Sequence, residues 1–412
     1  MPEDDVARLI DNLPLDQAHM LHVVARTETG TIDYRDLYHA VNRSIDCEDW
    51  LDVKIWQWRK HRGKDVSDDP PYDSRRDMPI FLKMRKKELV PFAKHFNIEP
   101  TLVKDELLQK MSPIFSEYPV YYQMLLSLIN VGHLTAEFAE LEEKSTIIIH
   151  LSNSSKIIRE RLELRWETDY GDLRDLLNRF LIESFDLQNT TLEKALYATD
   201  RRHSVEQNWE VRAACDTPIP IPGGVTTSAY GVIMWILTAI QLKPNDRVLV
   251  CGAKGAMTAV LAKHIVGSGG EVRVLEWNSE TAEWARSAIK RHGFSEDEIT
   301  VIEQEDVTIG SGDTGYWTAV VMNGSIPKIP YPLLDQLDDE EGKLLFFMQD
   351  TGAESQTCWV IQKNELISQH KREVLDEDVN APVKQLSKFR FTPIRGKYGW
   401  DRIEELQLDY ER

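Results

Sequence analysis

The sequence has few cysteines and no long apolar segment, and both features limit the kinds of protein it can be. Four cysteines occur among 412 residues, at positions 47, 215, 251 and 358, without the CxxC spacing of a zinc or redox site. We therefore expect free thiols in a reducing compartment. No stretch reaches about 18 uninterrupted apolar residues, and the first residues are acidic where a signal peptide is basic. Together these absences predict a cytoplasmic protein.

Positive charge is also scarce. Lys and Arg total 49 against 68 Asp and Glu, a formal net charge of -19. This balance argues against a nucleic-acid coat protein or a binder of anionic membranes. Hydrophobic residues make up 42% and charged residues 28% of the chain, which is typical of a globular protein. The length exceeds what one core usually supports, so we expect at least two domains.

Residues 1–170 are predicted to form a mainly helical domain, because apolar residues recur at helical spacing in residues 5–25 and 120–143. Residues 145–151 (STIIIHL) are a single strand-like run. Residues 83–111 predict two helices with basic residues on the first. They resemble a SAP-type DNA-binding helix pair, and they also fit two ordinary amphipathic helices of a bundle. We expect this domain to recruit a partner or substrate, with nucleic acid as one candidate.

Residues 171–412 have short β-branched apolar runs that alternate with helical stretches. This alternation predicts βαβ units and an α/β domain with a doubly wound, mostly parallel sheet. Helices are predicted over residues 256–266 and 279–292, the second with Ser279 as its N-cap. The predicted strands are residues 247–251, 271–275, 300–302, 317–322 and 343–347.

In such a sheet, ligands lie across the carboxyl ends of the strands. Gly252, Ala253 and Lys254 follow the first strand, where backbone amides can approach a cofactor, although a plain tight turn also explains this segment. Glu276 and Trp277 follow the second strand. An acid at this spacing from the glycine turn can accept hydrogen bonds from both ribose hydroxyls of an adenosine.

The third strand is followed by Asp306 and Val307. Asp306 is placed to accept a hydrogen bond from an adenine amino group, or it is a solvated loop acid. Taken together, the three strand ends predict an adenosyl-binding pocket.

Segments on both sides of these strands resemble the protein-L-isoaspartate O-methyltransferase family. Residues 216–229 (DTPIPIPGGVTTSA) are similar to its D-x-P-L-P-I-G-x-G-Q-T-I-S segment, and residues 242–249 to the L-x-P-x-D-x-V-L that follows. Residues 192–205 (LEKALYATDRRHSV) are similar to L-x-x-A-x-x-x-V-x-R-x-x-F-V. Residues 317–337 resemble F-D-A-I-I-V-x-A-A-x-x-x-I-P-x-P-L-L-x-Q-L, and residues 389–400 resemble the closing V-x-F-V-P-L.

The resemblance implies S-adenosylmethionine-dependent methylation of a carboxylate of an abnormal aspartyl residue in a protein or peptide, a protein-repair reaction. It implies that Asp216, Thr226 and Ser228 serve the catalytic site and that Thr227 contacts the cofactor. A carboxylate is already ionised at pH 7, so the reaction needs no general base, and we predict no metal. Capping of the next helix by Ser228 is the other explanation of this hydroxyl-rich run.

The cofactor turn departs from the family pattern V-L-E-x-G-x-G-S-G-Y. Here residues 248–257 read VLVCGAKGAM, and the bulk and charge of Lys254 stand where the family has glycine. Lys254 either turns outward or pairs with the carboxylate of the cofactor. The departures leave open a methyltransferase of changed specificity or a catalytically inactive interaction module. The replaced positions are Pro222, Val225, Val250, Lys254, Ala256 and Val307.

Overall fold

A computed structural model describes residues 144–349, 356–364 and 391–400 without interruption. It describes the first 141 residues in shorter stretches, chiefly 10–13, 15–33, 86–95, 101–104 and 131–141. The chain divides into two compact units, Met1–Leu177 and Asn178–Arg412. The predicted boundary after residue 170 falls inside a continuous helix, and the domain assignment and its roles stay predictions.

The first unit contains a three-stranded antiparallel sheet in the order β1-β3-β2. Fully buried leucine, isoleucine and valine side chains from the helices and strands form its core. Of the basic helix pair predicted over residues 83–111, the structure describes one helix and part of the segment that follows, and the remainder lies outside the described residues. The elements are α1 (Leu15–Arg26), β1 (Thr31–Asp33), α2 (Lys86–His95), β2 (Leu134–Leu141), β3 (Lys144–Leu151) and α3 (Lys156–Ser184), whose residues after Leu177 belong to the second unit.

The helical prediction for residues 120–143 is wrong over β2. Leu134 is buried and Thr135 is exposed, and this alternation suits a strand with one covered face. β2 pairs along its whole length with β3, which contains the run predicted as a strand. The apolar spacing of such a short segment fits both the helical and the strand period, and pairing with a neighbouring strand decides between them.

The second unit is built on a six-stranded sheet in the order β11-β10-β9-β6-β7-β8. β6 to β10 run parallel, and β11 lies antiparallel to β10 at the edge. The predicted doubly wound, mostly parallel sheet is therefore confirmed. The strands are β6 (Arg247–Cys251), β7 (Glu271–Glu276), β8 (Ile299–Glu303), β9 (Ala319–Ile326), β10 (Lys343–Gln349) and β11 (Gln356–Gln362). A small hairpin, β4 (Pro220–Ile221) and β5 (Val225–Thr226), precedes them.

Helices pack around the sheet, and those that follow β6, β7 and β9 connect parallel strands. They are α4 (Thr191–Ala198), α5 (Tyr230–Ile240), α6 (Met257–Val266), α7 (Ser279–Arg291) and α8 (Tyr331–Asp335). The predicted N-cap of α7 is wrong by one residue. The side chain of Asn278 accepts the hydrogen bond from the Thr281 N–H, because this amide oxygen reaches the first turn of the helix.

Two of the predicted free thiols are present as such, since Cys251 and Cys358 are free and buried. The prediction is wrong for Cys215, which is disulfide-bonded. Scattered spacing excludes a CxxC site, but it says nothing about cysteines that the fold brings together. The cytoplasmic location that rested on this cysteine pattern stays a prediction. Within the described part of the chain, no helix has the length and apolar character needed to span a bilayer.

Two buried histidines of α1 pack against Trp166 of α3 in the first unit. The ring centroids of His19 and His22 lie 4.7 Å and 5.3 Å from that of Trp166. His22 Nε2 lies 2.8 Å from Glu163 Oε2. Burial, reinforced by the charge of Arg26, lowers the pKa of each imidazole to about 3. Both rings are therefore neutral in the folded chain at pH 7.

We predict that this pair makes the first unit sensitive to acid. The unfolded chain protonates each histidine near pH 6.5 and the folded chain only near pH 3. The stability they contribute is therefore complete above pH 6.5 and is lost as the pH falls, by about 1.4 kcal/mol per pH unit for each ring. Urea denaturation at pH 7 and pH 5 measures the loss. In His19→Leu the change in unfolding free energy between the two pH values should be smaller by the contribution of one proton. An unchanged difference would assign the acid sensitivity to other groups.

Candidate functional site

The turn after β6 has the backbone conformation of a glycine-rich loop although two of its four left-handed residues carry side chains. Gly252 has φ +100° and Gly255 has φ +78°, and Lys254 and Ala256 have φ +40° and +66°. A Cβ on Gly255 would lie 3.1 Å from the Ser204 carbonyl oxygen, so the turn packs closely on its neighbours. Left-handed conformations cost a non-glycine residue about 1 kcal/mol each. The surrounding structure therefore imposes this loop conformation.

Glu276, predicted to bind a ribose, is buried and already holds the protein backbone. Its Oε2 accepts the Ala253 N–H at 2.8 Å. Its Oε1 accepts the N–H groups of Trp277 and Asn278 at 2.9 and 3.0 Å. These bonds join the turns after β6 and β7, and they leave about one of the four acceptor positions of the carboxylate for a ligand.

Asp306, the predicted adenine contact, is not a solvated loop acid. It is half-buried, and its Oδ1 accepts from the Thr308 N–H at 2.8 Å and from the Thr308 hydroxyl at 2.6 Å. Its Oδ2 accepts from the Lys397 N–H at 2.7 Å. The carboxylate thus fastens the segment around residue 397 to the end of β8.

The other predicted cofactor contacts differ in accessibility. The Val307 side chain is fully buried and packs in the core under the sheet edge, so only its backbone can face a ligand. Trp277 is half-buried, and the Arg395 guanidinium lies over its ring at 5.0 Å. An aromatic face at the end of β7 is therefore in place beside Glu276.

Asp216 caps a helix. Its Oδ1 accepts the Gly231 N–H at 2.6 Å in the first turn of α5, and a Cβ on Gly231 would lie 2.8 Å from Oδ2. This carboxylate stabilises the helix that follows the hydroxyl-rich run. Capping was the alternative considered for Ser228, but the cap bond comes from Asp216.

The three hydroxyls of the run have different surroundings. Thr227 is buried, and its Oγ1 accepts hydrogen bonds from the Ile219 N–H at 3.2 Å and from Arg201 at 2.8 Å. Thr226 is half-buried and makes no side-chain hydrogen bond within the described part of the chain. Ser228 Oγ lies 3.4 Å from Asn323 Oδ1, longer than a strong hydroxyl bond. The Ser228 hydroxyl is consequently only weakly engaged.

Arg201 and Asn323 were not singled out from the sequence, yet they organise this region. Buried Arg201 donates to the carbonyl oxygens of Cys215, Thr217 and Ser228, each at 2.8 Å. Its position matches the arginine of the family segment L-x-x-A-x-x-x-V-x-R, and that match was the available signal. Buried Asn323 of β9 gave no such signal.

A chain of contacts connects the hydroxyl-rich run to the end of β7. It passes from Ser228 to Asn323, from Asn323 Nδ2 to the Gly252 carbonyl oxygen at 3.2 Å, and from the Ala253 N–H to Glu276. The predicted residues at the ends of β6 and β7 thus share one region with Ser228. Beside this region, Asp216 caps α5 and Asp306 holds the segment around residue 397. Among the residues that the structure describes, no cluster of His, Cys, Asp and Glu could hold a metal ion.

Lys254 turns inward from its strained backbone position. Its ammonium lies over the ring of buried Phe391 at 4.9 Å. Burial lowers the pKa of Lys254 to about 8, and the negative charge of Glu276 opposes this effect. The side chain therefore does not take the outward orientation considered from the sequence, because the aromatic face offers the ammonium a favourable contact.

Known proteins similar to this chain match its C-terminal half. Residues 175–376 match the family described as Protein-L-isoaspartate(D-aspartate) O-methyltransferase. Protein-L-isoaspartate O-methyltransferase 2 of Archaeoglobus fulgidus is 28% identical over 57% of this chain and 98% of its own length. The protein-L-isoaspartate O-methyltransferase of Thermococcus sibiricus is 29% identical over 56% of this chain and 99% of its own. The resemblance inferred from the motifs is confirmed for this half.

Among solved structures, one of a protein-L-isoaspartate O-methyltransferase is 17% identical to this chain. The match covers 46% of this chain and 60% of the other, with a TM-score of 0.42.

We predict that Glu276→Gln destabilises the second unit by about 1.5–3 kcal/mol, because charge-assisted hydrogen bonds to three backbone N–H groups are weakened. Glu303→Gln is the matched control. Glu303 pairs in register with Glu276 at the end of the neighbouring strand, but it is exposed, so its change should stay within about 0.5 kcal/mol. Urea denaturation of both variants measures the difference, and equal stability of the two would contradict the structural role of Glu276.

Proposed function

We propose, from the relationship of the C-terminal half to protein-L-isoaspartate O-methyltransferases, that this protein binds S-adenosylmethionine and methylates a carboxylate of a protein or peptide. The observation that carries the proposal is the contact chain from Ser228 through Asn323 and Gly252 to Glu276. It places a weakly engaged hydroxyl and a buried carboxylate at the carboxyl edge of the parallel sheet, where such folds bind ligands.

The residues present fit the adenosyl part of the cofactor. The turn after β6 keeps its glycine-type conformation despite Lys254 and Ala256. Glu276 retains an acceptor position for a ribose hydroxyl, and the half-buried ring of Trp277 lies next to it. When bound, the cofactor supplies an electrophilic methyl group on a sulfonium.

The acceptor is ionised at neutral pH, so the chain has no proton to remove. Its task is to align the acceptor oxygen with the methyl group and to exclude water. Ser228 is suited to hold that oxygen, since its hydroxyl makes only a 3.4 Å contact with Asn323. Thr226, which has no side-chain hydrogen bond among the described residues, is the second candidate. We propose that the reaction serves protein repair. We also propose that the N-terminal domain recruits the substrate.

We predict binding of S-adenosylmethionine and S-adenosylhomocysteine by isothermal titration calorimetry, and methyl transfer to an isoaspartyl peptide. Ser228→Ala should lower kcat about 10- to 100-fold while S-adenosylhomocysteine still binds, because the hydroxyl positions only the acceptor. Ser287→Ala on the exposed face of α7 is the control and should match the wild type.

Ser228 is a better probe than Glu276, because loss of the Glu276 carboxylate also disturbs the two turns that it joins. Absence of binding at millimolar S-adenosylhomocysteine would refute the proposal and leave the interaction module as the function. Binding without transfer to the isoaspartyl peptide would refute that acceptor.

A further inference from the structure

Lys254 lies across the carboxyl edge of the sheet. Its backbone belongs to the turn after β6, and its ammonium lies over Phe391. The Phe391 ring stacks on that of Phe347 with a centroid distance of 3.7 Å. Phe347 is near the end of β10 and pairs with Ser325 of β9. The side chain therefore extends from the end of β6 toward the ends of β9 and β10, and its ammonium stays within range of the negative charge of Glu276.

The Lys254 side chain is half-buried, and the described part of the chain offers its ammonium few partners. Among the described residues it has the face of Phe391 but neither a hydrogen bond nor an ion pair. The Phe391 ring replaces only part of the lost hydration, and the lowered pKa reflects this deficit. A half-buried cation that contacts no anion among those residues is stabilised by an anion that arrives with a ligand.

The fold alone does not explain a lysine at this position. With φ at +40°, its backbone is in the region that glycine adopts without strain. Glycine would therefore relieve the strain and remove the partly desolvated charge together. A role in ligand binding accounts for both costs.

We propose that Lys254 binds a carboxylate of the ligand at this edge of the sheet, which deepens the proposed function and rests on it. The methyl-transfer reaction offers two sources, the amino-acid carboxylate of the cofactor and the carboxylate of the acceptor peptide. An anion beside Lys254 also removes an electrostatic conflict, because an uncompensated ammonium would repel a sulfonium nearby. A single lysine beside the negative charge of Glu276 suits one carboxylate better than a multiply charged phosphate.

The test follows the pKa of Lys254 in the whole protein by ¹³C NMR of the lysine side chains. Lys254→Met identifies the resonance, since it removes the amine and keeps an unbranched side chain. S-adenosylhomocysteine is compared with 5′-methylthioadenosine, which lacks the amino-acid carboxylate. An isoaspartyl peptide is compared with the same peptide carrying its α-carboxylate as an amide.

We expect a carboxylate-bearing probe to raise the pKa of Lys254 and its uncharged counterpart to leave it unchanged. Lys254→Met should weaken binding of that probe about tenfold or more and leave the counterpart unaffected, as loss of a charge-assisted bond predicts. Lys254→Arg should restore part of the affinity. Lys243→Met, at an exposed lysine paired with Glu341, should behave like the wild type.

The outcomes separate this inference from the proposed function. A rise in the pKa of Lys254 with S-adenosylhomocysteine alone assigns the bound carboxylate to the cofactor. A rise with the isoaspartyl peptide alone assigns it to the acceptor. Binding and methyl transfer with no change in the pKa of Lys254 would overturn the inference and leave the function intact. A rise in this pKa without any methyl transfer would support the inference and refute the proposed function. Failure of all four probes to bind would overturn both.

Discussion

The buried carboxylate of Glu276 is the constraint on which the edge of the sheet depends. Its hydrogen bonds with the N–H groups of Ala253, Trp277 and Asn278 fix the turns after two parallel strands relative to each other. Asn323 then connects the first of these turns to Ser228. The geometry around any ligand is therefore set by bonds within the protein before the ligand arrives, which is the preorganisation that alignment of two reactants requires.

Much of the second unit could be predicted from the sequence because its strands are buried on both faces. Such strands are short, continuous apolar runs, and residues 247–251 form β6 with the predicted bounds. β9 begins two residues after the predicted start, since Trp317 pairs with Leu337 outside the sheet. β2 in the first unit was missed because a half-covered strand shows only brief alternation, and pairing with β3 was not visible in its sequence.

The positions of the candidate site residues at strand ends could be predicted, but not their hydrogen bonds within the protein. Sequence position placed Glu276 and Asp306 at strand ends, and both lie there, but each carboxylate also accepts hydrogen bonds from backbone N–H groups. Such bonds depend on the path of distant loops, for example the Lys397 N–H that reaches Asp306. Asn323 could not have been found, because its role comes from two residues remote in sequence that the sheet brings beside it.

The turn at residues 252–256 bears on how such a protein can change over evolutionary time. The left-handed conformations at Lys254 and Ala256 are not favoured by these residue types, and Gly255 between them packs closely on Ser204. Glycine could therefore replace either residue without rebuilding the loop. Side-chain chemistry at this edge of the sheet can therefore be exchanged at these two positions while the path of the loop is kept.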